Sequence, residues 1–126
     1  MQILVVDIGG TFIKYACMTE NMDILGRGKV RTPQNSREEL IETIGKIYDD
    51  MPQVEGIAIS LPGIIDSEKG YCAMGGALRY NNEFYLRESL YQRCPVKIYM
   101  ENDAKCAAMA EAAVGSLQDV EDGFVL

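Results

Sequence analysis

The 126-residue sequence contains no histidine. That removes the commonest general base and the commonest metal ligand, so acid–base chemistry falls to carboxylate, Lys, Tyr or Cys side chains. The four cysteines, Cys17, Cys72, Cys94 and Cys106, include no CxxC pair. A zinc site within the chain is therefore not expected. No apolar run reaches the length of a membrane span. The opening "ILVV" is shorter than a secretory h-region and runs straight into Asp7. A disulfide framework is thus not expected, and the chain reads as a reduced, cytoplasmic protein without membrane association. It also lacks a basic excess: 12 Lys and Arg stand against 19 Asp and Glu, for a net charge of −7. Neutralising phosphates supplies most nucleic-acid affinity, so nucleic acid is not an expected partner. Repeats, linkers and low-complexity segments are absent too.

What remains is an ordinary globular composition, 48% apolar and 25% charged, long enough for one domain with a core. "QILVVD" reads as a buried strand ending in a carboxylate. Gly9 and Gly10 turn the chain. "TFIKYACM" follows with β-branched and aromatic residues rather than a helical period, so a second strand is predicted. "DILGRGKVRT" reads as a third, with Gly26 and Gly28 permitting a bulge or twist. Ser36 and Glu39 form a capping box ahead of Leu40, Ile41, Ile44, Ile47, Tyr48 and Met51, the stripe of an amphipathic helix. "VEGIAISLPG" is a buried strand stopped at Pro62-Gly63, and residues 64–83 read as irregular. "EFYLRESLYQR" is a second helix and "VKIYM" a short strand. "NDAKCAAMAEAAVG" is an Ala-rich third helix with Asn102 as N-cap and Gly115 as its stop. The order β-β-β-α-β-α-β-α predicts an α/β fold, a mixed five-stranded sheet flanked by helices.

Three turns carry candidate chemistry. Asp7-Ile8-Gly9-Gly10-Thr11 matches neither a P-loop nor a dinucleotide-binding GxGxxG. In a strand–turn–strand, however, its glycines let backbone approach an anion, with the N–H groups of Gly10 and Thr11 and the Thr hydroxyl as donors. Asp7 could hold Mg²⁺, through water, and Lys14 could add charge. The competing reading is a tight hairpin with a structural Asp. Ser60-Leu61-Pro62-Gly63-Ile64-Ile65-Asp66 lies at the carboxyl end of a strand, where open α/β sheets bind ligands, and Gly63 leaves room for a ring; a plain turn would look the same. Glu101-Asn102-Asp103-Ala104 also follows a strand. Asn102 and Asp103 can hydrogen-bond a polyol, and Asp103 can accept a hydroxyl proton during attack on a phosphoryl group. Helix capping is the alternative there. The three together are more telling than any one alone.

"DIGGTFIK", "SLPGIID" and "ENDAKCAAMAEA", in this order, resemble the ROK family (repressors, ORFs, sugar kinases) of the actin-like ATPase superfamily, and the likeness spans nearly the whole chain. The resemblance implies an N-terminal lobe of the ribonuclease H-like, actin-like ATPase type. It implies ATP phosphate and Mg²⁺ at Asp7, Gly9, Gly10, Thr11 and Lys14. It assigns the sugar to Gly63, Asn82, Asn102 and Asp103, with Asp103 as catalytic base. The implied activity is phosphorylation of a hexose or derivative, in the glucose, N-acetylmannosamine or β-glucoside class. Lys105 departs from the family pattern, which commonly has Asn there. Family members are more than twice as long, and their second lobe carries the adenosine pocket and a zinc motif. Residues 1–120 are therefore expected to be an isolated N-terminal lobe, inactive alone, with 121–126 starting a missing C-terminal lobe. Zinc is expected only in that lobe, and the cysteines here as buried core residues. An isolated lobe would expose apolar surface and could form a homodimer. A sugar-sensing regulator or a non-catalytic actin-like ATPase domain are the alternatives.

Overall fold

The computed structural model describes residues 2–19, 21–51 and 53–102. The chain runs β1 (Gln2–Ile8), β2 (Phe12–Thr19), β3 (Ile24–Arg31), α1 (Arg37–Asp49), β4 (Val54–Leu61), β5 (Ile64–Asp66), β6 (Tyr71–Met74), a 3-10 turn (Arg79–Asn81), α2 (Leu86–Arg93) and β7 (Lys97–Asn102). Five strands form one mixed sheet in the order β3-β2-β1-β4-β7. β1, β2 and β3 pair antiparallel, whereas β4 runs parallel to β1 and β7 parallel to β4. The parallel strands need long crossovers, which α1 and α2 supply. The Ala-rich third helix expected after Asn102 lies outside the described residues.

Period-2 alternation decides which side chains face the helices. Leu4, Val6 and Ile8 of β1, Ile57, Ile59 and Leu61 of β4, and Ile98 and Met100 of β7 are buried in one cluster with Leu40, Ile44 and Ile47 of α1 and Leu86 and Leu90 of α2. Each fully buried aliphatic side chain contributes about 1.5–3 kcal/mol relative to exposure. The helical stripe of α1 is thus the one read from spacing, with Ile41, Tyr48 and Met51 half-buried at its borders. Its cap is only half of the expected box. The Glu39 N–H donates to Ser36 Oγ at 3.2 Å, but the Glu39 carboxylate accepts from Asn35 Nδ2 instead of reaching back to Ser36. Arg93 ties α2 to α1, donating to Glu42 at 3.1 Å and to Asp49 at 2.7 Å. Gly45 permits this, because a Cβ there would fall on the Arg93 guanidinium.

The bulge that Gly26 permits is present in the β2–β3 pair, between Cys17 and Met18 and opposite Leu25. The second helix begins at Leu86 rather than Glu83, because Phe84 is held in a bridge: Cys72 N–H donates to Phe84 O at 2.8 Å and Phe84 N–H to Cys72 O at 3.1 Å. Residues 64–83 are correspondingly not irregular. They fold into the β5–β6 hairpin and the 3-10 turn. Cys17, Cys72 and Cys94 are free and buried; burial pushes the Cys72 thiol up to about 11, so it stays neutral. Cys106 lies outside the described residues. Among the described residues, no helix is long and apolar enough to cross a membrane.

Candidate functional site: a rim at the carboxyl ends of the parallel strands

β1, β4 and β7 end on one edge of the sheet. Asp7 is in register with Ser60, Ser60 with Glu101, and Leu61 with Asn102. Ser60 Oγ donates to Asp7 Oδ1 at 2.7 Å, which orients the carboxylate and leaves its second oxygen available. Ser60 stood in the sequence as part of a turn; its partnership with a residue 53 positions away is a tertiary fact.

The first turn is braced from behind. Gly9 N–H donates to Phe12 O at 2.9 Å, and a Cβ at Gly9 would lie 2.9 Å from that oxygen. Gly9 O accepts from Thr32 Oγ1 at 2.7 Å, Gly10 O from Gln34 Nε2 at 2.8 Å, and Thr11 O from Thr32 N at 2.9 Å. A trans peptide points its C=O and N–H in opposite directions, and none of the described peptides is cis. Since the carbonyls of Gly9 and Gly10 face the 32–34 loop, the N–H groups of Gly10 and Thr11 point away from it. Neither of these donors has a hydrogen-bond partner among the described residues. Two adjacent free N–H groups facing one way are an anion-binding arrangement. Tyr80 braces the same loop, donating its hydroxyl to Pro33 O at 2.7 Å. Burial first, then the Glu39 charge, raises the Tyr80 pKa to about 12.

The second and third turns close on the first. Gly63 adopts φ +106°, and a Cβ there would fall on the Met74 carbonyl and within 2.9 Å of Gly75 C and Gly76 N. Gly76 also has positive φ, +62°. The 75–78 loop reaches the first turn: a Cβ on Gly10 would come 3.2 Å from Ala77 Cβ. Asn102 Nδ2 donates to Gly63 O at 2.5 Å, which joins the end of β7 to the end of β4. The Asn102 N–H donates to the Glu101 carboxylate at 3.0 Å, and Glu101 is only 2% exposed. Asp7, Gly9, Gly10, Thr11, Gly63 and Asn102 therefore lie along one continuous rim.

The remaining expected residues are placed as follows. Asn82 Oδ1 accepts from Gly75 N–H at 2.7 Å, so this side chain shapes the glycine loop and keeps only its amide nitrogen for a ligand. Lys14 is exposed inside β2, in register with Asp7 on one side and Lys29 on the other, rather than on the turn. It borders a cleft of about 310 Å³ lined also by Tyr15, Arg27, Gly28 and Lys29, none of which belongs to the rim turns. Cations on an edge strand discourage pairing with another chain, which accounts for Arg27 and Lys29. Asp103 lies outside the described residues. The bracing residues Thr32 and Gln34, and the Gly75-Gly76 pair opposite Gly63, were not singled out from the sequence. The glycine pair was the one signal there to find.

The chain resembles proteins of known activity. It is 31% identical, over 126 residues, to a β-glucoside kinase of Listeria monocytogenes, matching 100% of this chain and 43% of that protein. It is 31% identical over 110 residues to an N-acetyl-D-glucosamine kinase of Vibrio cholerae, covering 84% of this chain and 36% of the relative. Among solved structures, a ROK family glucokinase from Streptomyces griseus in complex with glucose and AMPPNP superposes with a TM-score of 0.82 at 27% identity, over 97% of this chain and 39% of that protein. A ROK family protein from Streptococcus pneumoniae in complex with sucrose gives 0.81 at 31% identity, over 92% and 39%. The chain thus spans about two-fifths of the length of these relatives. With the ROK family model matching residues 3–126, on a sheet and rim of this geometry, the chain belongs to the ROK family.

Proposed function

We propose that residues 1–126 form the lobe that grips phosphate and sugar in an ATP-dependent carbohydrate kinase. The observation carrying this reading is the rim itself. The outward N–H groups of Gly10 and Thr11 stand beside the 75–78 loop, which abuts Gly63, which in turn is hydrogen-bonded to Asn102. An anion and a polyol would be held by adjoining stretches of one scaffold. Phosphoryl transfer depends chiefly on such positioning and on charge stabilisation. The acceptor is a hexose or hexose derivative in the glucose, N-acetylhexosamine or β-glucoside class. The relatives' names and the glucose and sucrose bound in two structural neighbours support that range.

In this reading the amides of Gly10 and Thr11 and the Thr11 hydroxyl hold the nucleotide's terminal phosphates, and Asn102 holds sugar hydroxyls. Asp103 takes the proton of the attacking hydroxyl as its oxygen bonds to the γ-phosphorus and ADP departs. The donor set fits a hydrated Mg²⁺ rather than a caged metal. Asp7 offers one carboxylate with one oxygen engaged by Ser60, and no cluster of three metal-ligating side chains exists among the described residues. Mg²⁺ held there supplies charge neutralisation on the phosphates. The relatives are more than twice as long as this chain, and in a kinase of their length closure of further chain over the rim would complete the site and exclude water. Residues 1–126 alone are therefore expected to turn over negligibly. The test is Asp103→Asn in the full gene product. The expected loss in kcat is roughly 100- to 10,000-fold, the usual contribution of a positioned base. A kcat near that of the unaltered enzyme sinks the assignment.

A further inference from the structure

We infer that the cleft between β2 and β3 is a second anion site, built for a phosphate dianion that is either free or esterified to a small sugar. Residues directly opposite each other in a ladder share a sheet face. Phe12–Arg31, Lys14–Lys29 and Ala16–Arg27 are alternate steps of the β2–β3 ladder, so these pairs lie on one face. That face carries Lys14, Arg27, Lys29 and Arg31, all exposed, in a chain whose net charge is −7. Lys14, Arg27 and Lys29, with the intervening pair Tyr15 and Gly28, line the cleft of about 310 Å³.

This positive charge is uncompensated. Among the described residues, none of the four cations forms an ion pair with a carboxylate. Like charges directly opposite in a ladder weaken the pairing, yet Lys14 stands opposite Lys29. Edge protection is a reason for Arg27 and Lys29 but not for Lys14, because β2 is flanked by β1 and β3 on both sides. Asp7, opposite Lys14 on β1, accepts from Ser60 instead. Lys29 is also held in place: its Nζ lies 4.5 Å from the centre of the Phe12 ring. A phosphate monoester carries about two negative charges at neutral pH, on strong acceptor oxygens. Two ammonium groups and a guanidinium around one cavity match that charge. The cavity is at the low end of ligand-pocket volumes, which suits a small ester better than a polymer. The cleft lies off the rim turns, so this site stands independently of the kinase reading.

The test is isothermal titration of inorganic phosphate and of glucose 6-phosphate into the full gene product and two variants, Arg27→Ser/Lys29→Ser and the conservative Lys29→Arg. Both side chains are exposed, so the substitutions spare the core. They also leave the rim turns untouched, so an anion held there is common to all three proteins and the difference reads the cleft. The double variant is expected to bind roughly tenfold or more weakly at one site, as charge-assisted hydrogen bonds are lost, while Lys29→Arg retains binding. If that lost site prefers glucose 6-phosphate to inorganic phosphate, the ester is the ligand; if it takes both equally, free phosphate suffices. Absence of saturable binding in the unaltered protein, or affinities unchanged in the double variant, overturns the inference, whatever the kinase activity proves to be.

Discussion

Asn81 and Asn82 are adjacent, identical residues that the fold treats in opposite ways, and substituting them should move stability in opposite directions. Asn81 is 1% exposed, yet among the described residues neither its amide nitrogen nor its oxygen has a hydrogen-bond partner. A buried polar group left unsatisfied costs about 1–3 kcal/mol. Asn81→Leu keeps a similar volume and removes both orphaned atoms, so it should stabilise the domain by about 1–3 kcal/mol. For a chain of this length, that corresponds to a rise in Tm of roughly 3–10 °C. Asn82, by contrast, is an exposed residue whose side-chain oxygen accepts from the buried Gly75 N–H at 2.7 Å. Asn82→Ala strands that N–H and should destabilise by about 1–2 kcal/mol. The assay is urea unfolding of both variants beside the unaltered chain, with equal m-values confirming that only stability has changed. A loss of 1 kcal/mol or more for Asn81→Leu at unchanged m would mean that the buried amide is hydrogen-bonded in solution, refuting the reasoning.

Two further outcomes follow from the geometry. Gly63→Ala forces a Cβ onto the Met74 carbonyl at φ +106°, so a loss of about 2–5 kcal/mol is expected from strain and overpacking together; urea unfolding within 0.5 kcal/mol of the parent would show that the turn adapts. The second concerns acid. Hydrogen bonds from Arg93 hold the Glu42 and Asp49 carboxyls below their usual values. A folded-state pKa below the unfolded one contributes stability that is complete above the ordinary carboxylate range and is lost as pH falls through the folded values. Arg93→Met should therefore flatten the decline in Tm below about pH 4.5, the usual Glu value; an unchanged acid limb would assign that decline to other carboxylates.

How much of this could be read from the residues alone depends on the range of the interaction. Local signals were reliable. Short apolar runs marked β1 and β4, the 3.6-residue stripe from Leu40 to Ile47 marked α1, and Ser36 marked its start. The glycine pair at 9–10 announced a turn close to something. These features depend on neighbours within one strand or one helical turn, so composition and spacing carry them. The β5–β6 hairpin escaped because its strands are three and four residues long, too short for a period to emerge. The reciprocal half of the capping box failed because Asn35, one position away, competes for the Glu39 carboxylate.

From the residues alone came the fold class, the order of the five sheet strands with α1 and α2, and the residue types capable of holding phosphate and polyol. Long-range contacts alone settle that Ser60 orients Asp7, that Thr32 and Gln34 turn the amides of Gly10 and Thr11 outward, and that Gly63 meets both Gly75 and Asn102. It likewise separated Asn81 from Asn82, burying one without partners and giving the other the task of shaping a loop. The physical reason is the same in each case. Propensity and periodicity are sums over near neighbours, whereas hydrogen-bond partners and close backbone approaches join residues tens of positions apart, and these exist only once the sheet has set its register.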